Sequence, residues 1–472
     1  MHRWIVKYSR LAFIAVPLLL LTACSSAAAP PPAATTAPAP TAAAKPTTPA
    51  APTAAAQPTA AATGTSAPAV AGTTPQAAAT APAAAVPTGS PITIGLLAPL
   101  TGTRADLGKG MTQGATLAVD EINAAGGVLG HPVKLVTQDT AADPVDAVPA
   151  AQQEINVDHV VAIVGPTSIT AGVVLPLVDK ANIPLLMFGG GSQFDHNTDP
   201  HFFRMSPSDS EQSDAMVVYA NSKGYKKIAL AFGSSSGSQA LVQPILDAAK
   251  TLGMTVTANV TLTAGATSYR SELEKLFAGK PDVVLAQFSN ATAGVVFGEL
   301  SQMGLTQTPW IGTNLWYTDT WFNAVGKTIA SGPVYLANSS SAGMQGFNEF
   351  QKLLQQKYNT NVPSNGQTFM YDAVITWALG ADQAGSTDWP AIRNGILQIA
   401  NPPGTDVGDY ATGYNLIKQH QKINWQGAAS TVDFDKYDNV YGPFDILHYD
   451  SSGKVTTVTT LTPQQIEQAL AK

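Results

Sequence analysis

Short apolar runs alternate with amphipathic stretches along the chain after residue 90, and this pattern predicts an α/β fold. Residues 111–124 carry apolar side chains at three- and four-residue spacing, which is typical of an amphipathic helix. Apolar runs that predict strands occupy residues 92–97, 133–136, 160–165 and 183–187. Strands that are apolar throughout and are separated by helices indicate a parallel sheet covered on both faces.

The alternation begins again after a polar stretch at residues 206–213. Strands are predicted at 227–232, 256–260, 282–287 and 310–312, with helices at 239–252, 271–277 and 293–303. Two long helices follow at 347–358 and 368–384, and the end of the chain, from 431 to 460, is strand-rich. We therefore predict two doubly wound, Rossmann-like lobes with a hinge, and a ligand cleft between them at the carboxyl ends of the strands.

The first residues of the chain predict a targeting segment. Arg3, Lys7 and Arg10 form a basic start, and residues 11–23 are an apolar run too short to span a bilayer as a helix. The run ends at Cys24, which is the only cysteine of the chain. This arrangement resembles the bacterial lipoprotein lipobox, which implies a signal peptide over residues 1–23 and a lipid anchor on Cys24. An ordinary signal peptide with an incidental cysteine is the alternative.

Residues 25–90 predict a disordered tether. These 66 residues contain 28 Ala, 13 Pro and 13 Thr, and Lys45 is their one charged residue. Proline at short intervals blocks helix formation, and the segment has almost nothing to bury. We expect it to hold a soluble module away from the membrane surface.

Charge and cysteine content exclude several functions. The whole chain has a formal net charge of −7, and the part after residue 90 has 21 Lys and Arg against 32 Asp and Glu. This acidic balance argues against nucleic-acid binding, which needs clustered Lys and Arg. One cysteine excludes a disulfide framework and a Cys-based zinc site. There is no phosphate loop of the Gly-x4-Gly-Lys type, and we predict no cofactor.

The motifs of the globular part resemble those of one family. They are Ile94-Gly95-Leu96-Leu97-Ala98-Pro99-Leu100-Thr101-Gly102, Ala118-Val119-Asp120-Glu121-Ile122-Asn123, Gly126-Gly127-Val128, Val164-Gly165-Pro166 and Tyr371-Asp372-Ala373. Together they resemble the Leu/Ile/Val-binding proteins, the substrate-binding components of branched-chain amino-acid ABC importers. The resemblance implies a type I periplasmic binding fold whose two lobes are joined by three crossings and close on a small ligand.

The resemblance also implies a domain organisation. Lobe 1 comprises residues 91–212 and about 339–441, and lobe 2 comprises residues 213–338 and about 442–472. Residues 1–23 and 24–90 precede them as leader and lipidated linker.

In lobe 1 the resemblance places a carboxylate site on two loops. Each loop follows a strand and supplies hydroxyls and main-chain N–H groups, which suit an anion without an arginine. The residues that this assigns are Ser168, Thr170, Gly190, Gly191 and Ser192, with Leu107 from the first loop of the lobe. A capped helix and a flexible turn are the structural alternative.

Lobe 2 departs from the family pattern. The family's ammonium-binding acid falls at Asn314, and losing that charge-assisted bond costs about 1.5–3 kcal/mol. The departure argues against a zwitterionic amino acid, although Asp319 or Asp106 could supply a carboxylate. The lobe 2 residues predicted to contact the ligand are Ser236, Phe288, Asn290, Asn314, Trp316 and Tyr317.

An enzyme is the first competing hypothesis. Gly233-Ser234-Ser235-Ser236-Gly237 fits Gly-x-Ser-x-Gly between a predicted strand and a helix, as in a nucleophile elbow. A serine hydrolase would use Ser235 with His448 and one of Asp435, Asp438 or Asp445. The binding-protein resemblance assigns the same loop to the cleft without chemistry, and we predict that the protein is not an enzyme.

Two further hypotheses stay open at this point. His196 and His201, with Asp195 and Asp199, suggest a metal site, but their spacing matches no standard ligand pattern and favours a solvated loop. The same fold also serves in ligand sensing, so the chain could be a sensory co-receptor.

Together these features predict an extracytoplasmic solute-binding lipoprotein of an ABC importer. The ligand would be a branched-chain amino acid or a related small carboxylate, amide or aromatic acid. The expected partners are this ligand, a permease and ATPase complex, and the membrane through the lipid anchor. We expect a monomer.

Overall fold

The computed structural model describes residues 87–341, 343–360 and 363–471. The predicted leader, Cys24 and nearly all of the predicted tether lie outside the described residues. All of these described residues belong to one unit of the chain. Among the residues described, no helix is long and apolar enough to cross a membrane.

Fourteen strands occur in the described part of the chain. They are β1 Ile92–Ala98, β2 Val133–Asp139, β3 Ile163–Val164, β4 Leu185–Met187, β5 Phe202–Arg204, β6 Lys227–Gly233, β7 Thr255–Leu262, β8 Val283–Gln287, β9 Trp310–Thr313, β10 Val334–Ser339, β11 Thr405–Val407, β12 Ile423–Trp425, β13 Phe444–Tyr449 and β14 Val455–Leu461.

Fifteen helices accompany these strands in the same residues. They are α1 Ala105–Ala124, α2 Pro144–Asn156, α3 Ala171–Ala181, α4 Asp209–Ser222, α5 Ser236–Ala240, α6 Val242–Thr251, α7 Arg270–Ala278, α8 Asn290–Met303, α9 Asp319–Val325, α10 Lys327–Ala330, α11 Gln345–Tyr358, α12 Asn365–Ala384, α13 Ala391–Ala400, α14 Tyr410–Lys418 and α15 Pro463–Leu470.

Two large sheets confirm the predicted α/β fold. The first has the order β2-β1-β3-β4-β5 and is parallel throughout. The second has the order β14-β13-β10-β9-β8-β6-β7, in which β13 and β14 pair antiparallel at one edge. The β1, β4, β6 and β8 strands are buried along most of their length, which explains their continuous apolar runs.

The chain passes between the two sheets three times. Met205 is buried in the cluster around the first sheet, and Ala215 is buried in the cluster around the second, so the first passage lies between them. The chain returns between Ala337, in the second sheet's cluster, and Phe350, in the first sheet's cluster. The third passage lies between Val440 and Phe444. The passages run side by side, since Val440 N donates to Arg204 O at 3.1 Å and Ser340 N donates to Pro443 O at 2.8 Å.

The predicted boundary between residues 212 and 213 falls inside α4. This helix is buried on nearly every face from Gln212 to Ala220, so its apolar residues show no helical period. The sequence carried a different signal for it: Ser208 and Glu211 form a capping box at its N-terminus. Because α4 packs into the second sheet's cluster, we place the first passage immediately before Asp209.

Close packing of α1 on α12 gives a prediction about stability. A Cβ atom on Gly114 would lie 2.0 Å from the main-chain oxygen of Gln367. We expect Gly114→Ala to lower the free energy of unfolding by about 2 kcal/mol, because the two helices must separate. Gly298→Ala is the matched control, because this exposed site in α8 has open space around it. Alanine at this position should raise the free energy of unfolding by about 0.5–1 kcal/mol. Urea denaturation measures both, and equal effects would contradict the prediction.

Candidate functional site

An open cavity lies where the three passages meet. It lies at the carboxyl ends of the parallel strands, because its wall includes residues that follow β4, β5 and β9. Its lining residues are Phe188, Gly189, Gly190, Ser206, Pro207, Ser208, Asp209, Gln212, Asn314, Ser339, Asn365, Phe369 and Phe444. They come from both sheets, as expected for a ligand site between two lobes.

A second cavity has a similar size and a different character. It lies at the amino ends of β9 and β10, beside Trp310 and Val334. Its lining residues carry no charge. We therefore take the cavity at the carboxyl ends as the candidate functional site.

The loop after β4 lines this cavity and has one main-chain donor without an acceptor among the described residues. Gly189 N donates to Ser206 Oγ and Gly191 N donates to Ser168 Oγ, both at 2.9 Å. Among the residues that the structure describes, Gly190 N has no hydrogen-bond acceptor. Ser168 therefore holds the loop in place, and Gly190 N is left to meet an anionic group.

Asp209 places a carboxylate directly against this loop. Its main-chain N donates to Gly190 O at 2.6 Å, and a Cβ atom on Gly190 would lie 2.2 Å from Asp209 Oδ1. Only glycine fits there. Burial raises the pKa of Asp209 to about 6, while the positive charge of Arg204 opposes the shift. At neutral pH the cavity therefore contains an ionised carboxylate.

The neighbouring arginine is already paired. Arg204 is 1 % exposed, and its Nη1 donates to Asp195 Oδ1 at 2.8 Å. Asp195 also accepts from the hydroxyls of Ser208 and Ser210, at 2.6 and 2.8 Å. Within the described residues, the carboxylate of Asp209 has no hydrogen-bond donor, so it is available to a cationic group.

Glu211 lies one turn into α4 and accepts a hydrogen bond from Ser208 N at 3.3 Å. Burial raises the pKa of Glu211 to about 8, against the opposing charge of Arg204. Glu211 is therefore mostly protonated at neutral pH and adds little negative charge.

Aromatic rings form the apolar part of the cavity. The ring centroids of Phe188 and Phe369 are 5.6 Å apart, and Phe444 lines the same space. Phe188 follows β4 and Phe369 belongs to α12. Their contact gives the cavity a hydrophobic surface beside Gly190 and Asp209.

Asn314 lies in the cavity wall, on a short 3₁₀ turn formed by Asn314–Trp316. Its Oδ1 accepts a hydrogen bond of 3.2 Å from Gln212 Nε2, which also donates to Ala337 O at 2.8 Å. Gly190 and Asn314 are thus the two predicted ligand residues that the structure brings into one cavity.

Phe288 and Trp316 differ from their prediction as ligand contacts. Trp316 is fully buried, stacks on Trp321 and donates from its Nε1 to Phe288 O at 3.1 Å. Phe288 is 1 % exposed and packs on the same ring. The 3₁₀ turn directs Trp316 inward, over Gly312, where a side chain would collide with the indole. Both rings belong to the core of the second sheet.

The other predicted residues lie around the cavity but not in its wall. Thr170 is buried and donates to Thr167 O at 3.3 Å, and Ser192 begins a 3₁₀ turn. Leu107 packs beside Gly366 on α12. Ser236, Asn290 and Tyr317 lie at the carboxyl edge of the second sheet, where Asn290 Nδ2 is 3.5 Å from Thr318 Oγ1. Their role as ligand contacts stays a prediction.

The geometry does not assemble the serine triad of the competing hydrolase hypothesis. Ser235 caps α5 and donates to Ser238 Oγ at 3.0 Å. His448 Nδ1 lies 3.0 Å from Val334 O, at the first residue of β10. Ser235 follows the carboxyl end of β6, so the two side chains are at opposite ends of the same sheet.

Sequence reasoning missed the residues that give the cavity its chemistry. Asp209, Gln212, Phe188 and Phe369 were not predicted as site residues. The capping box at Ser208 would have located the start of α4, and therefore Asp209, at a passage between the sheets. Nothing in the pattern distinguishes Phe188 and Phe369 from core aromatics.

Residues 91–441 match the model of a family described as periplasmic binding protein. The chain belongs to the periplasmic binding protein family. This periplasmic binding protein is 28% identical over 324 residues to Leu/Ile/Val-binding protein homolog 3 of Brucella melitensis, an alignment covering 67% of this chain and 86% of the relative. The resemblance to Leu/Ile/Val-binding proteins is thus confirmed.

Solved structures share the fold of this periplasmic binding protein. A branched-chain amino acid transporter substrate-binding protein of Streptococcus pneumoniae, in complex with isoleucine, has a TM-score of 0.63 and 22% identity, covering 79% of this chain and 99% of the other. An ABC transporter solute-binding protein of R. palustris, in complex with benzoate, has a TM-score of 0.62 and 18% identity, covering 79% and 96%. These confirm the predicted type I periplasmic binding fold.

Proposed function

We propose that this protein captures a small α-amino acid with an apolar side chain for an ABC importer. The observation that carries the proposal is that Gly190, whose main-chain N has no acceptor among the described residues, and the carboxylate of Asp209 lie side by side in the cavity wall. An α-amino acid has its carboxylate and its ammonium on one carbon, so adjacent groups of opposite character suit it.

In this proposal Asp209 supplies the ammonium-binding carboxylate that the family pattern has at the position of Asn314. The ammonium would lie against Asp209 Oδ1, and the ligand carboxylate would accept from Gly190 N. Phe188, Phe369 and Phe444 would then contact the apolar side chain, with Asn314 and Gln212 forming the polar wall from the second lobe.

Binding by closure of the two lobes follows from where these groups lie. The cavity takes residues from both sheets at the passages, so a ligand that contacts both walls binds a closed form better than an open one. The closed form would then dock on a permease and ATPase complex. The similarity to transporter components supports this partnership.

A calorimetric panel tests the ligand class. L-Leucine, L-isoleucine, L-valine and L-phenylalanine are titrated into the full chain, and benzoate and acetamide serve as ligands without an ammonium. We expect at least one amino acid to bind and to raise the melting temperature by mass action. Binding of benzoate with no binding of any amino acid would overturn the amino-acid assignment and retain solute binding.

Lipid anchoring at Cys24 is a separate proposal. Two or three acyl chains on one residue give stable membrane attachment, and residues 25–90 would give the binding module its reach. We expect Cys24→Ser to abolish labelling by radioactive palmitate in cells and to release the protein from the membrane fraction. Ser25→Ala is the matched control and should label as the wild type does. A labelled Cys24→Ser protein would contradict the proposal.

A further inference from the structure

A histidine and two aspartates meet on the first lobe, away from the candidate ligand site. Asp179 belongs to α3, and Asp199 and His201 precede β5. One ligand atom from each lies within 4.8 Å of the others. The cluster lies at the amino ends of the parallel strands, whereas the ligand cavity lies at their carboxyl ends.

The imidazole of His201 is held firmly in this place. His201 is 6 % exposed, and its ring stacks on Trp389 with a centroid distance of 4.8 Å. Its main-chain N donates to Asp199 Oδ1 at 2.9 Å, and its main-chain O accepts from Leu185 N at 2.7 Å. The ring therefore presents its two nitrogens in fixed directions.

Both nitrogens face oxygen acceptors. Nε2 lies 3.3 Å from Asn182 Oδ1, and the amide of Asn182 is oriented by its Nδ2, which is 3.4 Å from Trp389 O. Nδ1 lies 3.2 Å from Asp179 Oδ1 and 3.3 Å from Asp199 Oδ1. A neutral imidazole that donates from Nε2 to Asn182 would point a lone pair at two carboxylates. Either a proton or a metal ion at Nδ1 removes this conflict.

Two of the three spacings between the ligand atoms fit a tetrahedral metal ion, and the third is no longer than 4.8 Å. Ligand atoms bound to Zn²⁺ at about 2.0–2.1 Å lie about 3.3 Å apart at the corners of a tetrahedron. The distances from Nδ1 to the two carboxylate oxygens match this value. Metal-binding histidines usually donate their other ring N–H to a carboxylate, a backbone carbonyl or water, and the side-chain oxygen of Asn182 takes that place here.

We propose that Asp179, Asp199 and His201 bind one Zn²⁺ on the surface of the first lobe, with Asn182 orienting the imidazole. The side chain of Asp179 is 59 % exposed, so the ion can enter and water can complete its coordination. Bound zinc would join the end of α3 to the loop before β5, which makes the site a stabilising one rather than a catalytic one.

Zinc uptake by the full, metal-free chain tests the proposal. Dialysis against zinc chloride should load wild-type protein with one more zinc ion per chain than Asp179→Asn protein, and zinc should raise the melting temperature of the wild type only. Asp179→Asn keeps the shape of an exposed side chain, and Asp199→Asn, which keeps the acceptor for His201 N, provides a second variant. His196→Gln is the matched control, because this histidine lies nearby outside the cluster and should leave uptake unchanged.

Cobalt gives an independent measurement. Co²⁺ at this site should produce visible absorption bands of a tetrahedral ion with nitrogen and oxygen ligands, and both aspartate variants should lose them. Failure of the wild type to take up zinc would show that the cluster is an ion pair alone. Equal zinc binding by the wild type and both variants would also overturn the proposal.

Discussion

Asp209→Asn is expected to weaken the binding of L-leucine, or of the tightest-binding amino acid found, by at least about 100-fold. The substitution keeps the shape of the side chain and removes its charge. A desolvated ammonium that faces an amide in place of a carboxylate loses a charge-assisted hydrogen bond and its Coulomb attraction. Isothermal titration at pH 7.5, above the pKa of about 6 to which burial raises Asp209, measures the change.

The same substitution should stabilise the unliganded protein. The folded-state pKa of Asp209 is raised above its ordinary value, so keeping the carboxylate ionised at neutral pH opposes folding. Removing the charge should raise the free energy of unfolding by about 1–2 kcal/mol, because water in the open cavity screens part of the penalty. If Asp209→Asn binds the amino acid more weakly and is also more stable, then Asp209 has a role in binding, because replacing a structural residue would lower the stability.

Two controls complete the experiment. Asp319→Asn removes the exposed acid in the first turn of α9, which is one of the two other candidate partners of an ammonium, and should leave the affinity within about twofold. Benzoate, which has no ammonium, should bind Asp209→Asn better than the wild type, because a like charge has been removed. Unchanged amino-acid affinity in Asp209→Asn would refute the role of this residue.

The fold was predictable because the strands of the two sheets are buried on both faces. Their apolar runs at residues 92–97, 227–232 and 282–287 are long enough to stand out from the helices between them. The same burial conceals α4, since a helix covered on nearly every face has no polar stripe to reveal its period.

The residues of the candidate site were predictable only where the path of the main chain fixes their position. Gly190 lies in a glycine loop after a strand, and its position in the cavity follows from topology. Trp316 lies two residues after Asn314 on the same turn, yet Asn314 lines the cavity and Trp316 enters the core. The direction of a side chain on a short turn depends on tertiary packing, which no local pattern encodes.

Glu154 on α2 is completely buried, and this gives the prediction with the largest dependence on pH. Both carboxyl oxygens are buried without a hydrogen bond among the described residues, and Oε2 would lie 2.1 Å from a Cβ atom on Gly95. Burial, assisted by the negative charge of Asp158 and opposed by the main chain of Leu96, raises the pKa of Glu154 to about 9. The folded protein therefore holds this carboxyl protonated at neutral pH.

Glu154→Gln should remove a loss of stability that the wild type shows as pH rises. In the unfolded chain the carboxyl loses its proton near its ordinary pKa of 4.5, whereas in the folded protein it keeps the proton up to about pH 9. Between these values the wild type loses up to about 1.4 kcal/mol of unfolding free energy per pH unit through this group. Glutamine is neutral throughout and similar in shape to the protonated acid, so any cost of burying its amide is the same at every pH.

Urea denaturation of both proteins from pH 4 to pH 8 measures the difference. Taking the difference cancels the contributions of Glu121 and Asp372, whose pKa values burial raises to about 7. We expect the unfolding free energy of Glu154→Gln, relative to that of the wild type, to rise steadily above pH 4.5, by up to about 3 kcal/mol at pH 7. Asp146→Asn, on the exposed side of the same helix, should stay within about 0.5 kcal/mol of the wild type at every pH. A difference between Glu154→Gln and the wild type that does not change with pH would mean that Glu154 is ionised in the folded protein.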